Sequence, residues 1–280
     1  MPGFRYADDL LEVFSTTRGG VIHAVGLSNG PTPATLNSRF LEHQTQVREQ
    51  LGDTPLSELP SIRAWRSVFA RFGVKPTQYR SAAEALLRRL TNQGDIPSIN
   101  TLVDIANLVS ITHRIPVAVF DQAEVSGVTT VRFATGEERF TDLGSDVVSS
   151  PDPGEVIFVD EADLVSARRW CWRQSDQSAA RESTAEAFIT VEGHHHRAED
   201  DVAAALEDLL GLLAIHQPGT KISFDLLSPG HTEFLPPDHE AGCAGPSTLT
   251  TGGPCPDRTT TISLSVSPGL ASRWIAPFGT

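Results

Sequence analysis

Asn100, Asp104 and Asn107 recur at i, i+4 and i+7 inside the stretch Pro97 to Asp121, PSINTLVDIANLVSITHRIPVAVFD. That spacing puts all three on one face of a helix. Ile99, Leu102, Val103, Ile105, Ala106, Leu108, Val109 and Ile111 make the rest of its circumference apolar. A helix apolar nearly all round is buried, so these short amides and the carboxylate must meet partners, a cavity or a ligand. An unpartnered buried polar group costs about 1–3 kcal/mol. Helix capping is the competing explanation, because Thr101-x-x-Asp104 has the form of a capping box and Asn100 suits an N-cap. Capping leaves Asn107, two turns in, without a role.

The second candidate is RRWCWRQSD, Arg168 to Asp176. Read as a strand, it sets Trp170, Trp172 and Gln174 on one face and Arg169, Cys171 and Arg173 on the other. Alternating aromatics and guanidiniums suit a surface that stacks a base and contacts a phosphate. The alternative is two core tryptophans, with the arginines paired to acids such as Asp160 or Asp176. Cys171 is a weak nucleophile candidate, having no histidine base in its own segment. His194-His195-His196 cannot converge on one ion from a strand or a helix, and reads as a solvated loop after the strand end Glu192-Gly193. No P-loop or G-x-G-x-x-G pattern occurs. Conventional nucleophile chemistry is not expected, and neither is a metal or another cofactor.

The elements that must position these residues can be read from the pattern. Ile62 to Phe72 is an amphipathic helix with Trp65 and Phe69 on its buried side. Ser81 to Leu90 is a second helix, with Ser81 as cap and Glu84 at N3. Ile115 to Phe120 is a central strand ended by Asp121. Further β elements are expected at Val128 to Ala134, Glu138 to Leu143, Gly154 to Asp160 and Ala187 to Glu192, and an amphipathic helix at Asp200 to Ile215. Residues 1–58, with a strand at Val21 to Val25 and a helix at Thr35 to Leu51, read as a small appendage joined at Pro55 to Pro60. Residues 218–280 are rich in Gly, Pro, Ser and Thr and read as a largely irregular, disordered tail, with Thr260 to Val266 as its one short strand. Residues 59–217 are left as the main domain.

Composition narrows the function. The net charge of −13 argues against a nonspecific nucleic-acid binder, and no DNA partner is expected. The charge is uneven. From Ser61 to Asn92, seven basic residues (Arg63, Arg66, Arg71, Lys75, Arg80, Arg88, Arg89) face one acid, Glu84. They form either a phosphate-facing patch or a solvated helical face. The cysteines, Cys171, Cys243 and Cys255, make no disulfide or metal framework. No run approaches the ~20 apolar residues of a membrane span, and MPGFRYADDLLEV lacks the plan of a signal peptide. A cytoplasmic location, away from membranes, is the default expectation.

These motifs together resemble the B3/B4 domain of the phenylalanyl-tRNA synthetase beta chain. The resemblance runs from about Ser61 to Gln217. It is carried by Pro97 to Asn107, Pro116 to Asp121, Val131 to Ala134 with Gly136-Glu137, Gly154 to Val156 and Thr190 to Gly193, all in the family's order. RWCWRQSD and the residues before the domain resemble free-standing members; the tail does not. The resemblance implies an α/β fold, a B3/B4-like mixed sheet packed with helices, that receives the aminoacylated 3′ end of a tRNA. It also implies hydrolysis of a wrongly attached amino acid, with the amino-acid moiety as the small-molecule ligand. In that family no side chain attacks; the pocket orients water and ester. Carried across, the residues acting on the ester are Asn100, Asp104, Asn107 and Glu192, the last reading the substrate side chain. Asp121, Arg132, Trp170, Trp172, Arg173 and Gln174 are substrate-binding candidates, and Arg80, Arg88 and Arg89 contact tRNA. Ala118 departs from the family's pattern, which has a histidine there, so selection of tyrosine against phenylalanine does not carry over. Asp104, Asp121 and Glu192 would make an acidic pocket suited to a cationic or donor side chain, such as that of the arginine analogue canavanine. Two further functions stay open, a tRNA- or amino-acid-binding module without turnover and a small-molecule binder that does not meet RNA.

Overall fold

A computed structural model describes residues 1–237 and 260–263. Among the described residues, two large sheets and a layer of helices stack around two large hydrophobic cores, with a smaller third cluster of Ala134, Phe140, Ile157, Val159 and Val165. The first sheet has the order β12-β1-β4-β7-β8-β9, built from β1 (Gly3–Tyr6), β4 (Val128–Phe133), β7 (Val156–Val159), β8 (Val165–Arg168), β9 (Arg173–Gln174) and β12 (Glu233–Phe234). The second has the order β13-β11-β2-β10-β3, from β2 (Arg18–Val25), β3 (Val117–Asp121), β10 (Glu186–Gly193), β11 (Lys221–Leu227) and β13 (Thr260–Ser263). A two-stranded ribbon pairs β5 (Phe140–Thr141) with β6 (Val148–Ser149). The helices are α1 (Asp8–Val13), α2 (Ala34–Leu51), α3 (Pro60–Arg71), α4 (Ala82–Gln93), α5 (Thr101–His113) and α6 (Ala198–His216).

Strand alternation explains the layering. On β10, Ala187, Ile189 and Val191 point into the core shared with α2, α4, α5 and α6, whereas Phe188 points into an aromatic core between the sheets. Thr190 and Glu192 lie on the Phe188 face by the period of two. The aromatic core holds Phe4, Tyr6, Phe120, Phe158, Trp170 and Phe234, closed at one end by Trp65 and Phe69 of α3. The Ser81 cap is present, its side chain accepting from the Glu84 backbone N–H at 3.3 Å.

Three expectations are corrected. Residues 1–58 are woven into both sheets: β1 pairs with β4, and β2 runs between β10 and β11. The domain therefore takes its first strands from a segment read as an appendage, because short strands show nothing of partners more than a hundred residues away. Residues 218–237, assigned to an irregular tail, supply β11 and β12; the rest of that tail, apart from β13, lies outside the described residues. The strand expected at Arg168 to Gln174 is a hairpin, β8–β9, whose turn is Arg169-Trp170-Cys171-Trp172. Arg169 and Trp170 have positive φ (45° and 61°), which breaks the alternation and sends the two tryptophans to different places.

Candidate functional site

A cavity of about 330 Å³ opens where α4, α5 and the β8–β9 turn meet the edge strand β3 and the end of β10. Its walls are mainly apolar, from Leu86, Val103, Ala106, Val117, Val119, Phe120 and Trp172 among others, and its polar side chains include Asn107, Gln174, Thr190, Arg173, Cys171 and Glu192. A mostly apolar concavity with a few convergent polar groups is the usual form of a small-ligand site.

Glu192 is the most consequential of these groups. Its Oε1 accepts from Tyr6 Oη at 2.7 Å and from the Trp170 indole N–H at 3.0 Å. Among the described residues its Oε2 accepts no hydrogen bond, and the side chain lines the cavity. Burial raises the carboxyl from its ordinary 4.5 to about 7, while the Trp170 and Tyr6 hydrogen bonds pull the other way. Burial and the Glu192 charge also push the Cys171 thiol well up, so the cavity presents no thiolate at neutral pH.

The indole that holds Glu192 is itself held. Trp170 is fully buried, edge-on to Phe14 and Trp65, and its backbone N–H donates to Val156 O at 2.6 Å. The Cys171 carbonyl accepts from the Ala82 N–H at the start of α4 at 2.8 Å, tying the turn to the helix that forms the opposite wall. Trp172, by contrast, stays partly exposed at the cavity. It stands 4.9 Å edge-on from Tyr79, with the Arg169 and Arg173 guanidiniums each 4.8 Å from its ring.

The cavity thus brings together Asn107, Glu192, Trp170, Trp172, Arg173 and Gln174 from the expected set. The other candidates lie elsewhere. Asn100 is the α5 N-cap: its Oδ1 accepts from the Val103 N–H and from Asn29 Nδ2, both at 3.1 Å, and its amide donates to Ala180 O. Asp104 is fully buried, accepting from the Ile99 N–H at 2.9 Å, from Thr32 Oγ1 at 2.6 Å and from Ser98 Oγ. Capping and loop anchoring therefore account for two of the three helix polar groups, and only Asn107 faces the cavity. Asp121 accepts from the Ala123 N–H at 2.8 Å and from Thr184 Oγ1. Arg132 donates to Glu138 Oε1 at 2.5 Å and lies on β4, outside the cavity walls. The acidic pocket of three carboxylates is thereby reduced to one, since Asp104 and Asp121 are consumed by backbone and hydroxyl donors.

The basic stretch resolves in a similar way. Arg66 forms a two-pronged pair with the buried Glu84 at 2.5 and 3.0 Å, and Arg80 and Arg88 approach the same carboxylate at 3.7 and 3.6 Å. Arg89 turns away to Asp95, donating to its carbonyl at 3.1 Å. Three guanidiniums on one carboxylate leave a local excess of positive charge beside α4. In the RRWCWR segment the acid partners are Glu155 for Arg168, Asp152 and Glu155 for Arg169, and Asp142 for Arg173. Asp160 instead accepts from the N–H groups of Ser126, Ala162 and Leu164. The histidine run is not a solvated loop: His194 packs edge-on against Trp65 and Trp170 at 4.5 and 4.8 Å, and only His196 is exposed. Burial, then His195, Arg71 and Arg18, lower the His194 ring to about 3, which keeps it neutral. Among the described residues, no group of three or more His, Cys, Asp and Glu side chains is placed to hold a metal ion.

Residues 64–205 match the B3/4 domain model, half of the chain. The chain belongs to the B3/4 domain family. The phenylalanine–tRNA ligase beta subunit of Shewanella oneidensis is 32% identical over 94 residues, which is 34% of this chain and 12% of the ligase subunit. The chain thus spans a small part of that relative's length. An N-terminal fragment of the phenylalanyl-tRNA synthetase beta subunit from Pyrococcus horikoshii aligns in structure over 79% of this chain and 50% of its own, with 13% identity and a TM-score of 0.41. Within this B3/4 protein the cavity is built almost wholly by the matched region. Tyr6, which holds Glu192, comes from outside it. Sequence reasoning missed Tyr6 as a functional residue, and it missed Thr190 as a wall residue. Thr190 was readable from its i, i+2 relation to Glu192 on a strand; nothing local marks Tyr6. Among the described residues no helix is long and apolar enough to cross a membrane.

Proposed function

We propose that this B3/4 protein is a trans-acting aminoacyl-tRNA deacylase. The cavity takes the amino acid esterified to the 3′ end of a mischarged tRNA, and water cleaves the ester there. The observation that carries this reading is the buried Glu192 carboxylate lining the cavity, with one oxygen engaged by protein donors and the other accepting no hydrogen bond among the described residues. An oxygen so placed binds a cationic or hydrogen-bond-donating group of the amino acid, and a charge-assisted pair there contributes about 1.5–3 kcal/mol. Canavanine and other donor-rich non-cognate amino acids are the substrates this chemistry favours.

Hydrolysis needs no protein nucleophile. Water adds to the ester carbonyl, the bond from the acyl carbon to the ribose oxygen breaks, and that oxygen leaves as the 3′-hydroxyl with a proton. The protein's part is to hold ester and water together and to place polar groups, Asn107 and Thr190 among them, beside the reacting carbonyl. Editing of this kind serves where a synthetase pocket cannot reject a near-isostere strongly. The excess positive charge of Arg66, Arg80 and Arg88 suits the tRNA backbone.

The test is amino-acid release from a panel of tRNAs charged with non-cognate and non-proteinogenic amino acids, canavanyl- and tyrosyl-tRNA included. Release that is strongly reduced in Glu192→Ala and Asn107→Ala supports the reading. Binding without release from any member of the panel leaves a tRNA-binding module in its place. No binding even at low salt removes RNA from the function altogether.

A further inference from the structure

Glu192 pairs across the sheet with Gly19 of β2. A Cβ on Gly19 would lie 2.3 Å from Tyr6 Oη and 3.1 Å from two of the phenol carbons. The phenol therefore occupies the space that any other residue at position 19 would fill. Gly19 does not have positive φ, so its backbone conformation does not call for glycine; the close approach of the ring does. The neighbouring Gly20 answers a different need, because its Cβ would meet Val191, Leu206 and Val202 on the side packed against α6. Tyr6 is itself fixed, buried, edge-on to Phe4 at 5.5 Å, on a strand paired to β4.

We propose that Tyr6 and Gly19, both outside the matched family region, are a positioning pair that holds the Glu192 carboxylate with one oxygen engaged and the other turned to the cavity. Gly19 clears the space, Tyr6 crosses it, and the phenol O–H fixes the carboxylate jointly with the Trp170 indole. The ionisable groups facing Glu192 are Tyr6 from β1 and Cys171 from the β8–β9 turn, both pushed up by burial and uncharged at neutral pH. Burial raises this carboxyl, and the Tyr6 and Trp170 donors oppose that rise. The N-terminal segment is then part of the site. As a statement about hydrolysis this rests on the deacylase reading; as a statement about the carboxylate it does not.

The experiment follows the Glu192 carboxyl by carbon-13 NMR in the full chain labelled at glutamate, with Glu192→Gln to assign the signal and no tRNA present. Tyr6→Phe removes one oxygen and keeps the ring. Loss of that donor raises the titration midpoint by about one pH unit or more, a tenfold change in the ionisation constant. Gly19→Ala displaces the phenol and moves the midpoint the same way, and the double variant moves it no further than Tyr6→Phe alone. An unmoved midpoint in a folded Tyr6→Phe protein overturns the pair and leaves Tyr6 as packing. Should Gly19→Ala fail to fold, Tyr6→Phe decides alone. A shifted midpoint in a protein that hydrolyses no mischarged tRNA keeps the pair and removes the deacylase. Hydrolysis whose pH profile and Glu192 midpoint both ignore Tyr6→Phe does the reverse.

Discussion

Replacing Glu192 by Gln keeps the shape and both donor contacts while removing the proton equilibrium. In the native protein the carboxyl sits at about 7 instead of 4.5, chiefly through burial. A folded-state pKa raised above the unfolded value means that the native state binds the extra proton between those two pH values. The stability it contributes is fully present below about 4.5 and is lost as pH rises through 7. At about 1.4 kcal/mol per pH unit, the loss comes to about 3 kcal/mol. His194 works in the opposite sense. Its ring is lowered from 6.5 to about 3, so the unfolded chain takes up the proton first and stability is lost as pH falls from 6.5 toward 3. The two slopes oppose each other over much of this range, so the wild-type profile by itself is uninformative and the comparison must be with Glu192→Gln, which retains His194. Urea unfolding of both proteins from pH 4 to 8 gives the difference directly. The wild type should lose about 3 kcal/mol relative to Glu192→Gln between pH 4.5 and 8. Parallel profiles would refute a buried Glu192 whose ionisation is opposed by its surroundings.

Asp104→Ala should destabilise the fold by about 3–5 kcal/mol in urea titration, because Thr32, Ser98 and the Ile99 N–H lose their acceptor. The folded fraction should bind an aminoacyl ester analogue normally; normal stability with lost binding would move Asp104 into the site. Ala85, exposed at the cavity, can take a bulky ring at little structural cost, so Ala85→Trp should abolish analogue binding in calorimetry with Tm nearly unchanged. Unchanged affinity would place the ligand elsewhere. Arg80→Gln and Arg88→Gln should each weaken tRNA binding similarly across tRNA species and lower the slope of log affinity against log salt by about 1. A slope equal to that of the wild type would remove these arginines from the tRNA contact.

Much of this was legible because it is local. The Ser81-x-x-Glu84 cap, the apolar coat of α5 and the alternation of β10 involve residues within a few positions of one another. Glu192 and Asn107 were identifiable from the resemblance and the helix pattern. The polar face of α5 was a true feature, yet Asn100 and Asp104 answer to Asn29, Thr32 and Ala180, whose nearness the sequence does not record. RRWCWRQ alternates like a strand, and only the left-handed backbone at Arg169 and Trp170 separates the fully buried indole from the partly exposed one. Bulky residues there pay for that conformation with the packing of Trp170. The contact least visible from sequence is Tyr6 with Glu192, 186 residues apart. It lay hidden because a four-residue strand at the start of the chain carries no sign of where it docks.

A deacylase of this kind must receive the aminoacylated end of a tRNA in this cavity and on no other surface. A 3′-aminoacylamino-3′-deoxyadenosine, whose amide resists hydrolysis, isolates that step from turnover. NMR of the protein titrated with this analogue should shift the indole signals of Trp170 and Trp172 and the carboxyl signal of Glu192 together, at one dissociation constant, and Glu192→Gln should weaken it about tenfold or more. Saturable binding that leaves all three signals in place would contradict the claim.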